Sequence, residues 1–587
     1  MKDFFKMMFA SMLGFLLVSV ILFFIFIGVI ASLVSLSTDE EVIIPVKTVL
    51  HLELNKPLTD RAPKSPIFFD LPTMTRQCGL TDILKSIKKA KNDNNISGIF
   101  LDISSIDAGI STVSEIRDAL IDFRKSGKFI YSYSEDYSQR AYYLATASDR
   151  IFLHPHGMLL FKGINAEMFF LKGMLEKLDV KVQIVRHGKF KAAAEPFFLD
   201  KMSAENREQI TALISNTWGQ MLKGISESRN ISIGSLNRLA DSLRIQFPED
   251  ALKYNFIDQL AYKDEILIEL KKKMNVPEKE KISFITIDKY ITVQEEKRGS
   301  KESRDKIAVI FASGDIMDGN GDDKYIGSDG MSKAIRKARE DDRVKAIVLR
   351  VNSPGGSALA SDVIWREVDL AAKVKPVVAS FGDVAASGGY YIACAATKIL
   401  ADPTTITGSI GVFGLIPNVK GLFNNKLGIT FDDAKTNLNS DYIPVTKPLS
   451  SYQSGVLQNE IEHVYSTFIS HVAEGRHLKK ETVDSIGQGR VWSATDAKKI
   501  GLIDDFGGME KAIENAAELA NIKDYRILSL PEQKDLLEQV IDEILGSSSV
   551  SYLEKELGEN YKYYQYLKQV KEMKGVQARL PFLISLN

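Results

Sequence analysis

Asp93-Asn94-Asn95-Ile96-Ser97-Gly98-Ile99-Phe100-Leu101 is written again, in changed letters, as Asp341-Asp342-Arg343-Val344-Lys345-Ala346-Ile347-Val348-Leu349, 248 positions further on. The same ungapped shift lays Ala141-Tyr142-Tyr143-Leu144-Ala145 on Gly389-Tyr390-Tyr391-Ile392-Ala393, and Pro155 on Pro403. One offset serving separated segments identifies a duplicated unit, and that duplication governs how every other segment is read. The differences between the copies carry the information. Ser387 of the second copy is matched by Gln139, and the pair Gly355-Gly356 by Asp107-Ala108.

Working outward, residues 46–54 (Val46-Lys47-Thr48-Val49-Leu50-His51-Leu52-Glu53-Leu54) and Lys306-Ile307-Ala308-Val309-Ile310-Phe311 read as strands that open the two copies. Each is followed by an amphipathic helix, with Ile83, Leu84, Ile87 and Ala90 forming one apolar stripe and Ala334, Ile335 and Ala338 the other. Thr81 and Ser332 stand where N-caps belong. Apolar runs at Gly98–Ile103 and Lys345–Val351, then a helix, then Lys128–Tyr133 and Pro376–Phe381, complete the pattern. Apolar strands alternating with helices predict an α/β fold whose parallel strands are covered on both faces.

The ends of the chain differ from its body. From Met7 to Leu36 the sequence is apolar and uncharged, longer than the roughly 20 residues that cross about 30 Å of hydrocarbon. A secretory signal has a shorter apolar region. Ala31-Ser32 offers a weak cleavage site, but the length of the run favours an uncleaved signal anchor. Lys2 and Lys6 precede the span and Asp39-Glu40-Glu41 follow it, so the positive-inside bias predicts a cytoplasmic N-terminus and a body across the membrane. The expected division is 1–40, cytoplasmic N-terminus and transmembrane anchor; 45–290, the first copy; 291–305, a charged linker; 306–530, the second copy; and 531–587, a tail without counterpart. The Tyr/Leu/Lys pattern from Tyr552 to Met573 predicts a tail helix that packs on a neighbour.

Composition narrows the function. A net charge of −1 with mixed signs gives no electrostatic reason to expect nucleic acid. Two cysteines, Cys78 and Cys394, exclude a multi-bridge disulfide scaffold.

Two segments of the second copy carry candidate chemistry. Arg350-Val351-Asn352-Ser353-Pro354-Gly355-Gly356-Ser357 ends a strand and precedes a helix, and its glycines let backbone amides face a ligand; an ordinary turn has the same composition. Phe381-Gly382-Asp383-Val384-Ala385-Ala386-Ser387-Gly388-Gly389-Tyr390-Tyr391 places Ser387 near a helix N-terminus, where amides favour developing negative charge. Ser387 reads equally as an N-cap. It is not the Gly-x-Ser-x-Gly elbow, since Ala385 stands at the first glycine.

A nucleophilic serine needs a base. None of the seven histidines lies in these segments. The other candidate is an unprotonated lysine, whose pKa burial lowers by several units. Lys191, in Arg186-His187-Gly188-Lys189-Phe190-Lys191-Ala192-Ala193-Ala194-Glu195-Pro196-Phe197, stands amid small and apolar residues. A lysine beside alanines is more often solvated.

Taken together, Gly188 to Phe197, Asn352 to Gly356, Gly382 to Tyr391 and Thr407-Gly408-Ser409-Ile410-Gly411 resemble the signal peptide peptidase A (protease IV) family in its long two-repeat form. These are membrane-bound Ser–Lys peptidases distantly similar to Clp protease and the crotonases, and the resemblance covers nearly the whole chain. It implies a tandem of two Clp protease/crotonase-like α/β domains behind a transmembrane helix. Ser387 is then the nucleophile and Lys191 the general base. The amides of Gly356 and Gly388 form the oxyanion hole, and Ser409 matches a position that orients the lysine amine. The resemblance further implies signal peptides as substrates, no metal or cofactor, and a ring-like homo-oligomer, taken as a tetramer, in a bacterial inner membrane. With Asn439 falling on Lys191 under the shift, each copy keeps part of one site, and duplication with crossed loss predicts both parts within one chain. A crotonase-type acyl-coenzyme A enzyme would need neither Ser387 nor an anchor. A noncatalytic scaffold would not need Ser387, and a broad-specificity envelope protease would share all the chemistry.

Overall fold

The computed structural model describes residues 2–36, 44–62, 78–293, 303–533 and 576–580. Lys2–Leu36 forms one helix, and Lys2–Ile25 is long and apolar enough to cross a membrane. The acidic residues 39–41, most of the expected linker and the expected helix from Tyr552 to Met573 lie outside the described residues.

Each copy builds a parallel sheet, the second with one antiparallel edge strand, Val491–Ser493. The first copy contributes β1 (Thr48–Leu52), β2 (Ile96–Asp102), β3 (Phe129–Tyr137), β4 (Arg150–Leu159), β5 (Lys181–Arg186), β6 (Gln259–Leu260) and β7 (Phe284–Thr286), with sheet order β6-β4-β3-β2-β1-β7. The opening strand is shorter than 46–54 at both ends: it starts at Thr48, because Lys47, at φ 63°, breaks the extended chain, and it stops at Leu52. The second copy contributes β8 (Lys306–Ser313), β9 (Asp315–Met317), β10 (Tyr325–Gly327), β11 (Val344–Ser353), β12 (Gly355–Ser357), β13 (Val377–Ala386), β14 (Lys398–Ala401), β15 (Ile406–Gly408), β16 (Phe413–Asn418), β17 (Val491–Ser493), β18 (Asp505–Phe506) and β19 (Arg526–Leu530). Its main sheet runs β17-β15-β13-β11-β8-β19, with β14 and β18 branching from β13.

The near-continuous apolar strands follow from burial on both faces. Along β8, Ile307, Val309 and Phe311 enter one core while Ala308, Ile310 and Ala312 enter another. The first of these cores also holds Ile116, Leu120 and Ile225 of the first copy, so the second sheet is covered on that side by its sibling. A third sheet joins the copies, in the order β10-β9-β12-β20-β16-β5, where β20 is Gln577–Arg579 of the tail.

The duplication is visible atom by atom. Tyr142 donates to Phe256 O at 2.9 Å and Tyr390 to Leu502 O at 2.8 Å. The carboxylates of Asp258 and Asp504 accept from Ile151 N and Ile399 N, each at 2.7 Å. Both helical stripes are buried as expected. The caps are not where they were read. Gly79 and Gly327 occupy the N-cap positions, and Thr81 and Ser332 lie inside the helices. Asp82 supplies a return bond, its carboxylate accepting from Gly79 N, and the amides of Leu80 and Thr81 donate to Thr59 O and Asp60 O, so no capping hydroxyl is needed to satisfy them.

Candidate active site

At the end of β13 the chain turns through Ser387, at φ 55° and ψ −115°, into the helix Gly388–Ala393. A serine in this region carries strain of order 1–3 kcal/mol, sustained only where neighbours hold it. Here Ser387 N donates to Gly408 O and Tyr391 N to Ser387 O, each at 2.8 Å. Ser387 holds the N-cap position, yet its hydroxyl makes no cap bond. In the first copy Ser138 does cap the matching helix. Gln139 spends its amide on the backbone of Lys162 and Gly163. The fully buried hydroxyl of Ser387 is therefore left for another partner.

That partner is Lys191, also fully buried. Its Nζ lies 2.9 Å from Ser387 Oγ, 3.0 Å from Ser409 Oγ and 3.2 Å from Ser409 O. Both side chains come from one chain. Burial alone pushes the lysine well below its usual pKa, because charging an amine without a counter-ion in a dry site is costly. Asn439, by contrast, is exposed.

The lysine is held by residues that the motifs did not single out. Gly489, at φ 79°, packs so closely that a Cβ there would stand 2.6 Å from Lys191 Cβ and 2.7 Å from its Cα and N. Gly489 N donates to Ile410 O at 2.7 Å and Phe190 N to Gln488 O at 3.1 Å, tying the Gly487-Gln488-Gly489 turn to both sides of the site. After Lys191, the buried Glu195 accepts from Ser203 Oγ and Asn206 Nδ2 at 2.5 and 2.9 Å. Gln209 donates to Phe190 O and accepts from Val491 N. Glu195 lies within the segment around Lys191 with no role read for it, and the signal for the turn was Gly-Gln-Gly before an apolar strand, too common to single out alone.

The glycine loop reaches the same place. A Cβ on Gly355, at φ 98°, would lie 2.6 Å from Gly388 N, and one on Gly356 would strike Ile316 O at 2.0 Å. Glycine is required because the backbones touch. Just upstream, Arg350 is wholly buried, with Nε 2.8 Å from Asp60 Oδ1 and an Nη 2.7 Å from Glu115 Oε1. Its other Nη bonds Ser380 Oγ and Phe381 O at 3.0 and 3.3 Å. Asp60 and Glu115 belong to the first copy, so the strand carrying the loop is anchored on the sibling.

The histidines serve elsewhere. His187 stacks on Tyr465 and His471 on Trp365. His51, Glu53 and Asp102 could geometrically hold a cation in the first copy, though Lys263 bonds Asp102 there at 2.6 Å. Asp102 and Arg350 are matched positions in the repeat, each ion-paired.

The arrangement sets a hydroxyl beside an amine whose pKa burial holds well below the usual lysine value, with backbone amides at hand. Residues 122–277 and 369–523 each match peptidase family S49. "Protease 4" of Salmonella typhi is 38% identical over 80% of this chain and 76% of its own, and "Protease 4" of Haemophilus influenzae is 35% identical over 76% and 74%. "Serine protease SPPA, chloroplastic" of Arabidopsis thaliana is 32% identical over 85% of this chain and 74% of its own. Matched once in each copy and aligned with these relatives over most of its length, the chain belongs to peptidase family S49 and is a serine peptidase.

Proposed function

We propose that Ser387 is the nucleophile and Lys191 its general base in a membrane-anchored endopeptidase that degrades signal peptides left in or at the membrane. The observation that carries this reading is the buried Lys191 amine, 2.9 Å from Ser387 Oγ and with Ser409 as its other partner. A neutral amine has two hydrogens and one lone pair. Ser409 offers two acceptors, its Oγ and its carbonyl oxygen, which leaves the lone pair for the Ser387 proton. As the proton moves to Lys191, Ser387 Oγ attacks the scissile carbonyl, and the amides of Gly356 and Gly388 receive the oxyanion. The lysine then protonates the departing amine, and the free amine activates the water that hydrolyses the acyl-enzyme. No step calls on a metal or cofactor.

In this reading 1–40 is the anchor, 45–290 the copy that supplies the base, 291–305 the linker and 306–530 the copy that supplies the nucleophile. Lys2 and Lys6 favour a cytoplasmic N-terminus and an extracytoplasmic body on a bacterial inner membrane. Resemblance to the family supports a homo-oligomer, taken as a tetramer. The test is turnover by the purified full chain in detergent of two peptides, one with an apolar signal-sequence core and one soluble and charged. Preferential hydrolysis of the apolar peptide, lost in Ser387→Ala, is expected. Equal rates would favour a broad-specificity envelope protease, and hydrolysis surviving in Ser387→Ala would remove the serine from the reaction.

A further inference from the structure

The turn that presses on the base is itself held from outside the site. Gln488, at φ 53°, lies in the left-handed region between Gly487 and Gly489, where a residue with a side chain persists only if its neighbours hold it. Three bonds do so. Gln488 N donates to Tyr465 Oη at 3.2 Å, Gln488 Nε2 donates to Asp484 Oδ1 at 2.8 Å, and Gln488 O accepts from Phe190 N at 3.1 Å. The next residue, Gly489, makes the close contact with Lys191, and Gly411 abuts both. A Cβ on Gly411 would stand 2.7 Å from Gly489 Cα and 3.5 Å from Lys191 Cδ. A change of backbone torsion at Gln488 therefore moves the surface on which the lysine stem lies.

Tyr465, in the helix Ser451–Arg476, meets this turn from beneath and is 3% exposed. Its hydroxyl donates to Asp484 Oδ1 at 2.6 Å while accepting from Gln488 N, so both of its roles are used. Burial, with Asp484 beside it, raises the Tyr465 pKa, and the hydroxyl keeps the proton that it donates. His187, carried on the lysine segment, lies on the tyrosine ring at 3.7 Å and 20°. Its Nδ1 is 2.6 Å from Glu462 Oε2 and its Nε2 4.0 Å from Asp484 Oδ1. The ionisable groups facing Tyr465 are thus His187, Glu462 and Asp484, whereas burial alone lowers the lysine.

We propose that Tyr465 is a positioning residue for Lys191, whose hydroxyl fixes Gln488 in the left-handed turn that presses Gly489 against the lysine; the proposal rests on the Ser387–Lys191 reading above. Without that hydroxyl, Gln488 N loses its acceptor and the turn is free to relax. Gly489 then withdraws, water gains access to the amine, and the amine regains part of its ordinary basicity. The base is both less well aimed and more often protonated.

Tyr465→Phe, which keeps the ring under His187, tests this on the purified full chain with an external fluorogenic peptide, beside Ser387→Ala. The expected result is a kcat about tenfold lower, the scale of one hydrogen bond, with KM within about twofold of wild type, and a pH–kcat midpoint moved to higher pH. The same midpoint shift should appear in a His187→Asn background, which assigns it to the lysine and not to the imidazole. Tyr465→Phe combined with Gln488→Asn should recover part of the rate, because asparagine adopts positive φ more readily than glutamine. Unchanged kcat and midpoint in Tyr465→Phe, with the wild type active, overturn the proposal and leave the peptidase reading standing. A lower kcat with an unmoved midpoint marks the hydroxyl as structural and also overturns it, as do a shift that vanishes with His187→Asn and a double variant without recovery. Hydrolysis surviving in Ser387→Ala would overturn the Ser387–Lys191 reading and the proposal with it.

Discussion

Gly489→Ala tests whether a backbone approach, rather than any side-chain group, places the base. The added Cβ would stand 2.6–2.7 Å from three atoms of Lys191, where carbon contacts settle at about 3.5–4.0 Å. One backbone must therefore withdraw by about 1 Å. Lys191 Nζ holds its three partners at 2.9, 3.0 and 3.2 Å, so such a shift takes it out of hydrogen-bond range of at least one. A misplacement of this size costs roughly 100-fold in rate, equivalent to about 2.7 kcal/mol of barrier. The alanine also carries about 1–2 kcal/mol of left-handed backbone strain. Gly127→Ala separates the two effects. It has the same strain, at φ 81°, with nothing within 4 Å of its Cβ. Measured by kcat on a fluorogenic peptide and by denaturant unfolding, both variants should lose stability, but only Gly489→Ala should lose rate. Rates for Gly489→Ala within threefold of wild type would refute the reasoning.

Arg350→Met leaves the buried carboxylates of Asp60 and Glu115 without their cation. A loss of about 3–5 kcal/mol in denaturant unfolding is expected, shrinking on acidification because burial already raises the Glu115 pKa; a loss below about 1 kcal/mol would contradict the ion-pair account. Burial raises the Asp402 carboxyl to about 7 from 3.8. Between those values the folded chain keeps a proton that the unfolded chain releases, so stability falls as pH rises from about 4 to 7. Asp402→Asn, which can still accept from Thr404, should flatten that slope and be the more stable form at pH 8; an unchanged slope would dismiss the assignment. Because both partners lie in one chain, co-assembled Lys191→Ala and Ser387→Ala chains should stay inactive, and substantial recovery would place the dyad between subunits.

The repeat offset made the two parallel sheets legible, because strands buried on both faces leave long apolar runs that survive divergence. Composition alone left Ser387 readable as an N-cap and Lys191 as a solvated lysine; only the family resemblance, resting on four motifs together, paired them. What holds them was not legible. Arg350 meets Asp60 and Glu115, and Gly489 meets Lys191, across hundreds of residues of sequence, and periodicity reports only neighbours along the chain. The third sheet was hidden for the same reason, since β5, β16 and β20 come from both copies and the tail. Thr81 and Ser332 looked like caps because hydroxyls usually serve there; at the first helix, glycine with an acidic residue three positions on took the place.

The central claim is that one buried lysine activates one serine. Its most direct measurement is the rate at which a fluorophosphonate probe labels the full chain in detergent, with the modified residue located by peptide mass. Labelling should fall on Ser387 and speed up with pH as the Lys191 amine, already lowered by burial, loses its remaining proton. It should drop by about 100-fold or more in both Lys191→Ala and Lys191→Arg, since guanidinium stays charged at any working pH. Label on a different serine, or wild-type labelling rates in Lys191→Arg, would contradict the account.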